Sequence, residues 1–162
     1  MEVAIKTCPK QLEATYVMIK PDGVKRRLVG EILARIERKG YNISYIQTDF
    51  ATEEILKEHY NELVSKPFFP GIIKYMTSGP VIKLIVTGHE VVKGMRKILG
   101  ATNPREAEVG TIRGDLANCV GKNLCHASDS VENAKREIGI WINKELLQNE
   151  FPMDDYNMIY EK

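Results

Sequence analysis

Four short β-prone runs, separated by segments with helical spacing, limit this chain to a small set of folds. The runs are residues 15–19, 41–50, 81–86 and 123–126. Residues 29–39 place four aliphatic side chains on one helical face before Gly40, a residue type that often ends helices. Further helices are predicted after Thr52, up to Ser78, over residues 90–99, and after Asp129 or Ser130. The chain therefore follows the order βαβ twice, with an extra helix in each connection.

This order favours an α/β (α+β) fold with a four-stranded antiparallel, ferredoxin-like sheet and helices packed on one of its faces. An open, doubly wound parallel sheet is the alternative. It is weakened because no glycine-rich turn follows the first strand. A length of 162 residues suits one domain with its own core. Because residues 1–14 show little periodicity, we predict an N-terminal extension there and a single domain over residues 15–162.

The bulk composition excludes several classes of protein. Apolar residues make up 43% and charged residues 28% of the chain, as is usual for soluble globular proteins. A net charge of +1 gives no general attraction to nucleic acids or anionic membranes, and the basic cluster at residues 25–27 is too short to change this. No run resembles a signal sequence or a membrane span, so we expect a soluble, cytoplasmic protein with no membrane partner.

The cysteines indicate a reduced setting and no protein-held metal. Cys8, Cys119 and Cys125 form no CxxC pair, and three cysteines cannot all pair with one another. A reducing, intracellular compartment is the natural inference. Cys119, Cys125 and His126 lack both the fourth ligand and the close spacing of a structural zinc site, so we predict no metal-ligating cluster.

His126 is the most informative single residue, because it ends a short apolar run directly before a Ser/Asp cluster of the kind that starts helices. A histidine there lies on a rigid element, beside backbone N–H groups that can meet an anion. Histidine is also a nucleophile near neutral pH and can carry a phosphoryl group covalently. Taken alone, however, the pattern more often marks a partly buried histidine next to a helix cap.

Phosphate-binding cations recur along the chain. Lys20 ends the first strand, Arg96 lies on a predicted helix, and Arg113 closes the long loop 101–114. Arginine binds phosphate bidentately, whereas lysine acts as a movable point charge. A loop of this length inside a compact domain is usually functional. The sequence contains no GxxxxGK[ST] loop, no GxGxxG and no protein-kinase signature set, so a bound nucleotide would not be held by these common devices.

A series of motifs in a fixed order is more specific than any one of them. The segments are residues 19–24 (IKPDGV), 27–30 (RLVG), 59–60 (HY), 67–71 (PFFPG), 78–81 (SGPV), 102–104 (TNP), 110–115 (GTIRGD) and 123–130 (NLCHASDS). Through them the chain resembles the nucleoside diphosphate kinase family over about residues 15–161.

The resemblance implies a ping-pong exchange, in which a nucleoside triphosphate gives its γ-phosphoryl group to His126 and a nucleoside diphosphate takes it back. It implies that Glu137 hydrogen-bonds the far ring nitrogen of His126, leaving Nδ1 as the nucleophile, beside the hydroxyl of Ser128. Tyr60 approaches the transferring group. Mg²⁺ is held mainly through the nucleotide phosphates, which it bridges and which contact Lys20, Arg96, Thr102 and Arg113.

The same resemblance assigns the nucleoside end of the site. Phe68 and Val120 sandwich the base, and Asn123 contacts a ribose hydroxyl. Stacking on an apolar face tolerates every base, so broad base specificity follows. The family also implies a homo-oligomer, a hexamer with a tetramer as the alternative. His59 receives no role and is predicted to be a surface group.

Ala127 departs from the family pattern, in which glycine commonly follows the nucleophile. Alanine strains the backbone by about 1 kcal/mol if φ is positive at this position and is harmless if φ is negative. Because the other site positions match the family pattern, we expect a negative φ.

Two other classes of protein compete with an active enzyme. The first is a nucleotide-binding regulatory or scaffold homologue without useful turnover, which loss of His126, Arg113 or Lys20 would have favoured. The second is a nucleic-acid-binding protein, suggested by Phe68 and the basic cluster at residues 25–27. Its near-zero net charge makes nucleic acid weak as a primary partner.

Overall fold

The computed structural model describes residues 12–142, which contain one four-stranded sheet. Its strands are β1 (Leu12–Ile19), β2 (Asn42–Asp49), β3 (Val81–His89) and β4 (Cys125–Ala127). They lie in the order β2–β3–β1–β4, and every neighbouring pair is antiparallel. The predicted four-stranded antiparallel sheet with ferredoxin-like strand order is therefore confirmed.

Seven α-helices connect or follow these strands within residues 12–142. They are α1 (Pro21–Lys25), α2 (Val29–Arg38), α3 (Glu53–His59), α4 (Phe69–Met76), α5 (Val91–Leu99), α6 (Ile112–Leu116) and α7 (Val131–Trp141), with a short 3₁₀-helix at Asn61–Leu63. Thr52 caps α3 by accepting a hydrogen bond from the Ile55 amide. Ser130, rather than Asp129, caps α7 through the Asn133 amide. Loop 101–114 ends earlier than predicted, because Thr111 caps α6.

Helices cover both faces of the sheet, so the predicted packing on one face is wrong. Val17 and Ile19 of β1 pack with residues of α2, α5 and α6, whereas Tyr16 and Met18 pack with residues of α3, α4 and α7. Successive side chains of a strand point to opposite faces, so an uninterrupted apolar run needs cover on both. Every residue from Thr15 to Ile19 is fully buried. The uninterrupted burial along β1 and β3 therefore reflects a sheet that is covered on both faces.

The first strand begins at Leu12, three positions before the predicted start, and pairs with β3 from its first residue. Residues 1–11 and 143–162 lie outside the described part of the chain, so the predicted extension over residues 1–14 and the domain over residues 15–162 stay predictions. Among residues 12–142, no helix is long and apolar enough to cross a membrane.

Backbone bonds tie the short strand β4 to the turn that follows β1. Met18 and His126 are register partners, and the Lys20 amide donates to the Leu124 carbonyl oxygen at 2.8 Å. Leu124 has a φ of 71°, a left-handed conformation that a leucine adopts only when its surroundings enforce it. Its amide donates to the Asp22 carboxylate at 3.2 Å. These bonds fix the backbone of the residues that directly precede His126.

Gly94 on α5 lies against the hydroxyl of Tyr41, and a Cβ at this position would overlap that hydroxyl. We expect Gly94→Ala to lower the free energy of unfolding by about 1–3 kcal/mol, because the tyrosine must shift inside a packed region. Gly139→Ala on α7 is the matched control, since a Cβ there meets no atom within 4 Å. It should stabilise the helix by about 0.5–1 kcal/mol. Thermal unfolding of both variants measures the difference, and equal melting temperatures would contradict this packing.

Candidate active site

A buried carboxylate holds one ring nitrogen of His126. Glu137 belongs to the buried stripe of α7, together with Ala134, Ile138 and Trp141. Its Oε2 lies 2.9 Å from Nε2 of His126, and the Ser128 hydroxyl donates to the same oxygen at 2.5 Å. The structure thus brings together the three residues that the sequence analysis placed at the centre of the site.

The charge state of Glu137 decides which nitrogen of His126 carries the proton. Burial raises the pKa of Glu137, but the hydrogen bonds from His126 and Ser128 and the charge of His126 outweigh burial, so the pKa lies below its usual value. An ionised carboxylate only accepts hydrogen bonds. Nε2 of His126 is therefore the donor, and the lone pair of the neutral ring is on Nδ1.

A cleft of about 480 Å³ opens next to Lys20 and Tyr60, and its lining does not include His126, Ser128 or Glu137. Six of the predicted site residues line it, namely Lys20, Tyr60, Phe68, Thr102, Val120 and Asn123. Phe68 is 57% exposed and Val120 is 53% exposed, although large apolar side chains are usually buried. Two open apolar surfaces on one cleft offer a stacking site for a flat aromatic group.

Lys20 and Asn123 form the polar end of the cleft. The Lys20 ammonium donates to Oδ1 of Asn123 at 2.7 Å, and Nδ2 of Asn123 donates to the Thr102 carbonyl oxygen at 2.9 Å. Removal from water, with the nearby charge of Arg113 as a further cause, lowers the pKa of Lys20 to about 8. A desolvated ammonium of this kind gains more from an anionic ligand than a surface lysine does.

Arg113 is buried and binds backbone oxygens. Its guanidinium donates to the carbonyl oxygens of Gly100 at 3.0 Å, Asn123 at 3.3 Å and Cys125 at 2.7 Å. It therefore joins the end of α5 to the backbone on either side of Leu124, which lies two positions before His126. Its positive charge lies beside the polar end of the cleft, where it acts on Lys20.

The structure does not bring Arg96 into the cleft. Arg96 is exposed on α5 and lines a neighbouring hollow with Gly100 and Thr111. Its charge still acts on Arg113. Among the predicted phosphate ligands, Arg96 and Thr102 are exposed, Lys20 is half-buried and Arg113 is buried.

His59 is buried, so its prediction as a surface group is wrong. Only 4% of the residue is exposed, and its Nδ1 accepts a hydrogen bond from Nε1 of Trp141 at 3.1 Å. Its ring lies edge-on to that of His126, with 4.7 Å between the centroids. The helical spacing could have revealed this burial, because His59 follows the buried Leu56 by three positions on α3.

Asp22 and Tyr75 were also missed by the sequence analysis, which interpreted Asp22 only as part of a Pro-Asp-Gly turn. The Tyr75 hydroxyl donates to one oxygen of the Asp22 carboxylate, and the Leu124 amide donates to the other. Since Tyr75 also lines the cleft, this carboxylate links the cleft wall to the strand that carries His126.

The backbone at Ala127 is not strained. Within residues 12–142, the non-glycine residues with positive φ are Arg27, Glu90 and Leu124. The expectation that alanine is harmless after His126 is therefore confirmed.

The described part of the chain has one cluster of side chains that could ligate a metal ion, but hydrogen bonds already engage some of its ligand atoms. Donor atoms of His59, His126 and Glu137 lie within 4.8 Å of one another. However, Nδ1 of His59 is bonded to Trp141, and Nε2 of His126 is bonded to Glu137. The lining of the cleft contributes no carboxylate.

Sequence comparison places the chain among known proteins. A family model described as nucleoside diphosphate kinase matches residues 13–147. The nucleoside diphosphate kinase of Emericella nidulans is 49% identical over 150 residues, which are 93% of this chain and 97% of that protein. Nucleoside diphosphate kinase 3 of Homo sapiens is 51% identical over 140 residues, covering 86% of this chain and 83% of the human protein.

Solved structures agree with this placement. The nucleoside diphosphate kinase of Encephalitozoon cuniculi superimposes with a TM-score of 0.86 at 42% identity, over 91% of this chain and 99% of that one. The enzyme of Halobacterium salinarum, solved in complex with CDP, gives a TM-score of 0.85 at 39% identity, over 92% and 99% of the two chains. The chain thus has the fold of a class of nucleotide phosphotransferases. The chain belongs to the nucleoside diphosphate kinase family.

The lowered pKa of Lys20 predicts how the affinity for a nucleoside diphosphate depends on pH. A bound phosphate raises the pKa of the ammonium again, so binding takes up protons near pH 8. Affinity should be highest below about pH 8, where Lys20 is charged in both states, and should fall as the pH rises towards about 10.

Titration calorimetry with ADP in two buffers of different ionisation enthalpy measures this proton uptake. Lys20→Arg is the matched control, because arginine keeps its charge throughout the range and should remove the pH dependence between about 8 and 10. An affinity of the parent protein that stays constant over this range would contradict the assignment.

Proposed function

We propose that the protein is a nucleoside diphosphate kinase in which His126 carries the phosphoryl group. The observation that carries the proposal is the hydrogen bond from Nε2 of His126 to the ionised Glu137, which leaves a lone pair on Nδ1. Nδ1 attacks the γ-phosphorus of a nucleoside triphosphate, the N–P bond forms, and the bond to the β–γ bridging oxygen breaks as the diphosphate leaves. A terminal phosphate oxygen of a second diphosphate then attacks the same phosphorus and restores the free imidazole.

The charges at the polar end of the cleft support phosphate binding. Lys20 lies closest to the cleft, and Arg113 places a second buried positive charge beside it. Thr102 lines the same cleft and can offer a hydroxyl to a phosphate. In this proposal, Arg96 meets the phosphates from the exposed side of α5. Phosphoryl transfer needs positioning and charge neutralisation more than covalent assistance, so this set of groups suits the reaction.

Tyr60 supports the transfer step as a hydrogen-bond donor. It lines the cleft, and burial raises its pKa above the ordinary value for tyrosine. The phenol therefore stays protonated at every physiological pH. In the proposal, its O–H donates to the phosphoryl group as negative charge shifts between the attacking and leaving atoms.

We assign the base to the apolar end of the cleft and the ribose to the polar end. Phe68 and Val120 would hold the base between them, and Asn123 would contact a ribose hydroxyl. A pocket that grips the base through its faces, without donors or acceptors aimed at its edge, accepts purines and pyrimidines alike. Broad base specificity is the expected result.

Kinases of this family generally work on nucleotide with a divalent cation, which we propose is Mg²⁺ in this protein. Carboxylate oxygens are preferred protein ligands of Mg²⁺, and the lining of the cleft has none. The cation therefore fits as a companion of the nucleotide, held mainly by phosphate oxygens. When bound, Mg²⁺ neutralises charge between the phosphates.

We further propose that the chain forms a homohexamer, with a tetramer as the alternative. The strand β2 lies at an edge of the sheet, and its Ile46 is 51% exposed. Native proteins usually protect such an edge, and association with a second copy is one way to do so. A cytoplasmic location is also a proposal, which the free thiols of Cys119 and Cys125 support.

A single-turnover labelling experiment tests the proposed function. The purified parent protein and His126→Ala are mixed with Mg²⁺ and ATP that carries a labelled γ-phosphate, without an acceptor. We expect acid-labile, base-stable label on the parent only, because a phosphoramidate forms at His126. An unlabelled diphosphate with a different base should then remove the label as a new triphosphate.

The absence of label on the parent protein would contradict the proposal. If the folded parent binds ADP but takes up no label, the protein has no phosphoenzyme intermediate. The nucleotide-binding regulatory or scaffold homologue would then be the better description. Label that stays on His126→Ala would show a different acceptor residue.

A further inference from the structure

His59 is the one imidazole in direct ring contact with His126, and the proposed reaction leaves it without a part. It ends α3, whereas His126 lies on β4, so the contact joins two elements that are distant in sequence. Arg136 of α7 anchors the end of α3 by donating to the carbonyl oxygens of Glu58 at 3.1 Å and His59 at 3.4 Å. The backbone of His59 is therefore held against the helix that carries Glu137.

The hydrogen bond with Trp141 fixes the tautomer of His59. An indole N–H can only donate, so Nδ1 of His59 must accept and the ring proton must lie on Nε2. Burial, with the nearby His126 as the next cause, lowers the pKa of His59 to about 3. His59 is therefore a neutral ring with one defined tautomer, in contact with a residue that gains a phosphoryl group.

Aromatic side chains fix the ring plane of His59. The Trp141 ring meets His59 at an interplanar angle of 78° and stacks on Tyr16 at 16°. The Tyr60 ring meets His59 at 85°, with 4.4 Å between the centroids. Packed rings of this kind resist rotation, because any turn creates overlap on one side and a gap on the other.

The edge-on contact restrains a motion of His126 that Glu137 leaves free. A single hydrogen bond at Nε2 fixes the distance between ring and carboxylate, but the ring can still swing about that bond. The His59 ring lies at 81° to His126 and blocks the swing from one side. With both restraints in place, Nδ1 keeps one direction, which is the condition for a near-attack geometry.

We propose that His59 is a positioning residue for phosphoryl transfer. Its ring has a fixed tautomer and keeps the imidazole of His126 aligned with the hydrogen bond to Glu137. The inference rests on the proposed function of His126. It assigns no proton transfer and no substrate contact to His59, which acts only through the His126 ring.

Two substitutions separate the parts of the His59 side chain. His59→Asn keeps an oxygen that can accept from Trp141 but removes the outer half of the ring. His59→Phe keeps a flat ring against His126 but cannot accept from Trp141. His89→Asn, the same change at the end of β3, is the matched control, because His89 pairs with Leu12 whereas His126 pairs with Met18 towards the other end of β1.

The readout is the rate constant of His126 phosphorylation at saturating ATP, together with the KM for nucleotide. We expect His59→Asn to lower the rate constant at least about tenfold, because small misplacements of reacting groups have large effects on rate. KM should stay within about twofold, since the inference assigns no substrate contact to His59. His59→Phe should recover part of the lost rate, and His89→Asn should match the parent.

These outcomes separate the inference from the proposed function. If the parent takes up no label, the proposed function fails whatever the variants do. If the parent is labelled and folded His59→Asn reacts at the parental rate, the positioning role is overturned. A variant with a lower melting temperature but the parental rate would show a structural role only.

Nitrogen NMR of the unmodified protein covers the case in which both His59 variants fail to fold. The inference requires that His59 shows a protonated Nε2 and a bare Nδ1, and that it stays neutral down to about pH 5. A His59 ring that titrates near neutral pH, or that exchanges between tautomers, would overturn the inference.

Discussion

The site depends on one buried carboxylate that is shared by two donors. Glu137 lies in the core-facing stripe of α7, where an unpaired charge would be strongly destabilising. His126 and Ser128 both donate to its Oε2, and their hydrogen bonds keep it ionised in spite of burial. The ionised state in turn determines which nitrogen of His126 is free. The proposed chemistry at Nδ1 therefore depends on how one charge is accommodated in the core.

The fold provides this arrangement because the sheet is covered on both faces. His126, on the edge strand β4, pairs with the fully buried Met18, and Lys20 directly follows the end of β1. Arg113 and Asp22 bind the backbone around Leu124, so the segment before His126 is fixed from two sides. The proposed nucleophile is thus on a strand that is fixed by its neighbours, whereas the cleft has two exposed apolar side chains, Phe68 and Val120, in its lining.

Much of this could be predicted from the sequence, and the exceptions have physical reasons. The strand order follows from the alternation of β-prone and helical runs, and the pairing of His126 with Glu137 follows from the family motifs. The second layer of helices was missed because a short apolar run does not show by itself how many of its faces are covered. The buried position of His59 was missed because histidine fits both surface and core. The carbonyl contacts of Arg113 and the exposed position of Arg96 depend on tertiary packing, which a motif does not contain.

The proposed role of His126 is tested most directly by finding which atom carries the phosphoryl group. The protein would be labelled with ¹⁵N at histidine and phosphorylated by ATP, and phosphorus–nitrogen couplings would be measured by NMR under basic conditions. We expect a single phosphohistidine at His126 with phosphorus on Nδ1, because Glu137 holds Nε2. Phosphorus on Nε2 of His126, or on another histidine, would contradict it.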